Sequence, residues 1–168
     1  MEGYIKFYAS VERNTIIQLQ QTVEELLAQG LTRLHLLISS PGGSVNDGVF
    51  LYNFLKGLPI EVITYNMGCV DSIGVVMFCA GNKRISAPHA RFLLHPVGWF
   101  FENQQFDEHL FIEKLNVLRS DQLNIANIIA STINKPVDEI LHLIHTRTTF
   151  EPGQAQKEGI VTDNLSFV

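Results

Sequence analysis

The chain has 168 residues, 46% of them hydrophobic and 17% charged, a core-rich composition that excludes a disordered or fibrous protein and suits one domain spanning 1–168. Its formal charge of −5 comes without a basic cluster, which argues against nucleic acid as a partner. Met1–Lys6 lacks the basic start and apolar run of a signal peptide, and the longest apolar run, Gly74 to Gly81, is far too short to span a bilayer. The expectation is a cytoplasmic protein with no membrane partner. Cys69 and Cys79 have no Cys-x-x-Cys spacing and read as two small buried thiols rather than a disulfide or a metal site.

In chain order, Ile5 to Ala9 alternates weakly and predicts a strand. Asn14 or Thr15 can cap a helix to about Gln29, with Ile16, Leu19, Val23, Leu26 and Leu27 on one face and Gly30 as its stop. Leu31 to Ile38 is almost continuously apolar, the pattern of a strand buried on both faces of a parallel sheet. Pro41-Gly42-Gly43 breaks that strand, and Val45 to Leu55 predicts a helix ended by Gly57 and Pro59. Ile60 to Tyr65 is the next strand, Ser72 to Ala80 the next helix, and Ile85 and Phe92-Leu93-Leu94 belong to two more short strands. Alternating strands and helices imply right-handed crossovers and an α/β sheet.

After His95 the character changes. Gln104 to about Thr132 is a long helical pattern carrying Phe106, Leu110, Phe111, Leu115, Leu118, Leu123, Ile125 and Ile129. The aromatic cluster Trp99, Phe100 and Phe101 before it suits either core packing or a subunit contact, since three adjacent aromatics cannot all face inward. Pro136 starts a further helix that ends near Thr146, and Glu151 to Glu158 a last short one stopped by Gly159.

Three pieces carry chemistry. Ser72 stands at the start of an apolar helix, where the free amide of Ile73 can meet a developing oxyanion. Gly42 and Gly43 close a strand and permit the unusual dihedrals and close approach that bring in a second amide, assigned to Gly43. His95 ends an apolar strand and is the candidate base. Taken singly, Ser72 is a helix cap, Pro41-Gly42-Gly43 a turn and His95 a strand-end histidine; their order and spacing together make them a nucleophile, an oxyanion cradle and a base. His142 and His145 have a metal-compatible spacing but read as surface histidines, so no metal is assigned, and Lys83 and Arg84 read as a solvated turn.

Ser40-Pro41-Gly42-Gly43, the serine helix between Gly68 and Gly81, and Leu94-His95-Pro96 together resemble the proteolytic subunit of the Clp protease, the ClpP family, from about Phe7 to the C-terminus. The resemblance implies a ClpP/crotonase α/β spiral of βαβ units with a long protruding handle helix after Gln104. It implies a serine peptidase with catalytic Ser72 and His95, oxyanion amides on Gly43 and Ile73, and no cofactor. It implies a peptide substrate, an unfolded polypeptide, added as a strand between Gly43-Ser44-Val45 and the segment near Val97 and Gly98. The implied assembly is a homo-oligomer, a seven-membered ring or stacked rings. An ATPase unfoldase partner has weaker support, because the family's N-terminal pore segment precedes the first strand and this sequence begins almost at the strand.

The sequence departs from the family's pattern at two site positions. The family's acidic third member falls on Thr148, within Arg147-Thr148-Thr149-Phe150; Glu151 or Asp163 would have to substitute, or a Ser–His dyad works slowly, or the site is silent. Asp71 stands where the family has a small residue and is expected to be a helix-start residue pointing away from the nucleophile. Two further readings follow: an inactive ring subunit acting as an assembly or regulatory partner, and, ranked lower, an acyl-CoA enzyme of the crotonase group.

Overall fold

The sheet forks, and the fork positions everything of interest. In the computed structural model, which describes residues 1–100, 105 and 107–165, the first strands are β1 (Glu2–Tyr8), β2 (Arg33–Ser40) and β3 (Glu61–Asp71). Helices α1 (Arg13–Ala28) and α2 (Val45–Lys56) make the two crossovers, and the three strands are parallel. The lower half of β3, Ile63 to Asn66, pairs with β4 (Lys83–Ser86), which in turn pairs with β7 (Asp163–Asn164). The upper half, Cys69 to Asp71, leaves that layer and pairs instead with β5 (Arg91–Leu93), whose other edge takes β6 (Thr149–Phe150) antiparallel.

The fork has a local cause. Between the pairs Ile38↔Asn66 and Ser40↔Val70 the register shifts, because β2 advances by fewer residues than β3. Asn66 at this point is fully buried; its side-chain amide donates to the Arg91 carbonyl (2.8 Å), and its side-chain oxygen accepts from Gly68 N–H (3.1 Å). One side chain thus satisfies the backbone of both branches, which buried polar groups require. Ile60–Tyr65 was therefore too short an expectation. The strand runs on through Met67 to Asp71 because tertiary pairing overrides the weak strand propensity of Asn66 and Gly68.

Helix α3 (Ile73–Cys79) is buried at every residue, as a helix apolar all round must be. Its Phe78 meets Phe92 edge to face at 5.0 Å. Helix α4 (Glu108–Ile133), about 39 Å long at 1.5 Å per residue, buries only Ile125, Ala126, Ile129 and Ala130, all in its C-terminal part. Phe111, Ile112 and Val117 are exposed, so its N-terminal half projects as the resemblance implied. Gln104, Phe106 and Phe101 lie outside the described residues. Phe100 is fully exposed and Trp99 lies under Lys114, 5.2 Å from its ring centroid, so Phe100 and Trp99 are not core residues. Helices α5 (Val137–His145) and α6 (Pro152–Glu158) complete the chain.

Two expectations are corrected here. The first helix is capped by Glu12, whose backbone N–H donates to Thr15 Oγ1 (3.1 Å), not by Asn14 or Thr15. Arg84 does more than solvate a turn: its guanidinium donates to the carbonyls of Ile160, Gly81 and Gly159 and ties the end of α6 to β4. Cys79 is fully buried, which pushes its thiol up to about 11 and leaves it a spectator.

Candidate active site

Ser72 occupies the junction of β3 and α3 with φ 57° and ψ −127°, a conformation that residues with a Cβ rarely adopt. Its backbone is pinned from both sides: its N–H donates to the Leu93 carbonyl (2.7 Å), and its carbonyl accepts from Val75 N–H (3.0 Å). Its hydroxyl caps nothing. The helix-cap explanation of this serine is thus set aside by the geometry. The junction is a sharp strand-to-helix turn that holds a side chain out of both elements, the device that presents a nucleophile in α/β-hydrolases.

The glycine loop lies against it. Gly42 has φ 92°, and a Cβ built there would stand 2.8 Å from Ser72 Cβ, 2.8 Å from the Asp71 carbonyl and 3.4 Å from Ser72 Oγ. Gly43 forms a parallel bridge with Val11: Val11 N–H donates to the Gly42 carbonyl (2.8 Å) and Ser44 N–H to the Val11 carbonyl (2.7 Å). In that pattern the N–H and carbonyl of Gly43 itself point away from Val11, toward the open edge. Ile73 is the first residue of α3, so its amide has no partner within the helix. Neither amide assigned from sequence has a backbone partner among the described residues; Ile73 follows the serine in the chain, and Gly42, next to Gly43, packs against it.

His95 follows β5, which is held at its end by Leu94 N–H donating to the Thr148 carbonyl (2.9 Å). Its Nδ1 lies 2.9 Å from the Pro96 carbonyl. A carbonyl can only accept, so Nδ1 carries the proton and Nε2 is left as the basic nitrogen. No hydrogen bond joins His95 to Ser72 in this arrangement. Sequence reasoning had no means of finding the Pro96 carbonyl, which is backbone, or Val11, which carries no motif.

Ser44, Val45, Val97 and Gly98 line one cleft of about 370 Å³, together with Gly43 and Phe100. These are the four residues named for peptide binding, brought together from α2 and from the segment after β5.

The Clp protease family profile matches residues 2–166. The chain belongs to the Clp protease family. Among curated relatives, the Clp proteolytic subunit 3 of Rhodococcus jostii is 32% identical over 75% of this chain and 62% of its own length. Proteolytic subunit 2 of Prochlorococcus marinus is 30% identical over 74% of this chain and 69% of its own, and subunit 3 of a Synechococcus strain 30% over 80% and 76%. The chain thus spans less than two thirds of the Rhodococcus relative. A solved structure of a ClpP1 mutant from Listeria monocytogenes aligns with a TM-score of 0.84 over 98% of this chain and 91% of that one, at 20% identity, which speaks for the fold.

At position 148, where the family's acid is expected, the structure shows a threonine engaged elsewhere. The hydroxyl of Thr148 is bonded to Thr146 Oγ1 at 2.9 Å, not to His95. Of the substitutes considered from sequence, Glu151 is the exposed cap of α6, and Asp163 is an exposed residue of β7, on the branch that His95 does not share. Asp71 was misread. It is the last residue of β3, not a helix-start residue; it is 6% exposed, and its Oδ2 pairs with Arg91 Nη2 at 2.9 Å.

Burial holds the Asp71 carboxyl above the ordinary aspartate value of 3.8, against the pull of Arg91 and then His95. Below 3.8 folded and unfolded chains both hold the proton; as pH rises through that value the unfolded chain ionises first, and the fold loses stability. Asp71→Asn, which cannot ionise, is therefore expected to melt higher than the wild type at neutral pH. The difference should vanish below the ordinary value. Melting curves at both pH values check this, and a mutant less stable at neutral pH would contradict it.

Proposed function

We propose that this Clp protease subunit hydrolyses peptide bonds by a serine mechanism. The observation that carries the proposal is the strained Ser72 junction, with an uncapped hydroxyl pressed against Gly42. Ser72 Oγ attacks the scissile carbonyl while its proton passes to His95 Nε2. The oxyanion is held by the Gly43 and Ile73 amides. His95, now an imidazolium, returns the proton to the leaving amine, and water releases the acyl group by the same path. The chemistry of bond cleavage calls on no cofactor.

The peptide lies as an added strand along Gly43-Ser44-Val45, donating to the outward carbonyl of Gly43 while the Gly43 N–H serves the oxyanion, with Val97 and Gly98 across the cleft. The apolar residues exposed on the projecting half of α4 support a homo-oligomeric ring or stacked rings. Delivery of unfolded polypeptide by an ATPase, in keeping with the words ATP-dependent in the relatives' names, and a cytoplasmic setting belong to this same proposal.

His95 must turn toward Ser72 for this chemistry, as catalytic hydrogen bonds often tighten only with substrate present. A fluorophosphonate probe on the assembled protein is expected to label Ser72, with short fluorogenic peptides cleaved. An assembled oligomer that resists the probe and cleaves nothing overturns the proposal. A second reading, a silent ring subunit that completes another subunit's assembly, is favoured by the Thr148 hydroxyl bonding elsewhere. Mixing the chain with an active Clp subunit and measuring mass and turnover separates the two.

A further inference from the structure

Asp71 is a costly residue in an unexpected place. Its side chain is nine-tenths buried, its Oδ1 has no hydrogen-bond partner, and it immediately precedes the nucleophile. Side chains alternate between faces along a strand. Phe92 and Leu94 face the core at 0% and 2% exposure, so Arg91, Leu93 and His95 share the opposite face. Asp71 is the register partner of Leu93 and therefore lies in that row, between Arg91 on one side and His95 on the other. The Arg91–Asp71 ion pair and the attraction between Asp71 and His95 agree with this placement. On the other sides, β2 continues into Pro41 beside it and β6 sets the neutral Thr149 opposite Leu93; the same antiparallel register, continued, carries Glu151 toward Arg91 and Arg147 toward His95, the charged groups that flank this row.

We propose that Asp71 is the carboxylate that stabilises the His95 imidazolium, replacing through space the acid missing at position 148. It is a positioning residue. It stays ionised, takes no proton, and acts only when His95 accepts the proton of Ser72. The Pro96 carbonyl holds the Nδ1 proton and selects the tautomer, and Asp71 supplies the charge that a carbonyl lacks. Arg91 shares the same carboxylate and so limits its effect on His95. The proposal rests on the serine-peptidase reading, but its physical content, the coupling of two side chains, is measurable without turnover.

The test is the titration of the His95 ring by NMR in the assembled, ring-labelled protein, with His95→Gln identifying its signal. Asp71→Asn is expected to lower the His95 pKa by about one unit, tenfold in proton affinity. Its kcat should fall by a similar factor with KM unchanged, and adding Thr148→Asp should restore both. An unmoved His95 titration in Asp71→Asn overturns the proposal. If that variant fails to assemble, Arg91→Gln decides: a raised His95 pKa supports the coupling, and an unmoved one ends it. A chain that resists fluorophosphonate but shows the shift would refute the peptidase reading and leave the coupling standing.

Discussion

Ser72→Gly is expected to abolish peptide hydrolysis and probe labelling while making the protein more stable. The reason is the backbone. Ser72 holds φ 57° and ψ −127°, a region where a residue with a Cβ carries roughly 1–3 kcal/mol of strain and glycine carries little. The hydroxyl caps nothing, so its removal leaves no orphaned helix donor. The variant should therefore gain about 1–3 kcal/mol in denaturant unfolding and lose on the order of 10⁶ in kcat, the loss seen when another serine protease is stripped of its nucleophile. Ser72→Ala separates the two effects, since it keeps the Cβ and the strain but loses the hydroxyl. It should be as inactive as Ser72→Gly and no more stable than the wild type. A Ser72→Gly protein less stable than Ser72→Ala would mean that the junction is unstrained, and residual cleavage by either would place the nucleophile elsewhere.

The second large effect is expected at Gly43. An added Cβ would stand 2.3 Å from the Val11 carbonyl oxygen and 3.0 Å from Val11 N, and φ there is 148°. Both neighbours are backbone, held by the bonds that bracket Gly43, so no side-chain rotation relieves the clash. The loop must swing, and the Gly43 amide with it. Gly43→Ala should therefore lower kcat by about 10²–10³-fold, the usual cost of one oxyanion donor, with a much smaller change in KM. Gly153→Ala is the matched control. That residue lies in α6 with nothing within 4 Å of an added Cβ, and steady-state kinetics should not distinguish it from the wild type. A Gly43→Ala enzyme with near-normal kcat would remove that amide from the mechanism.

These two predictions lean on different kinds of information. Ser72, Gly43 and His95 stood out as candidates by residue types in order: a serine opening an apolar helix, paired glycines ending a buried strand, a histidine ending another. The helices α2 and α5 and the strands β2 and β5 were likewise near their observed places, because their apolar patterns and breakers are local signals. What failed were features that depend on a partner in space. The upper half of β3 was invisible, since Met67, Gly68 and Cys69 form a strand only because β5 pairs with Cys69 to Asp71. The two-residue strands β6 and β7 carry too few side chains to show a period. Asp71 was taken for a helix-start residue because, in sequence, a carboxylate before an apolar helix usually is one; the strand's extension turned it instead into the row with Arg91 and His95.

Local chemistry was thus enough to say which residues could react and which elements would carry them, because helix starts, chain breaks and buried strands are written in short-range patterns of size and polarity. It could not say how those residues meet. The fork at Asn66, the tautomer that the Pro96 carbonyl imposes on His95, the bridge by which Val11 turns the Gly43 amide outward, and the buried charge beside the nucleophile all arise from groups that are distant in the chain or belong to its backbone. Side-chain identity leaves no trace of them until the sheet has closed.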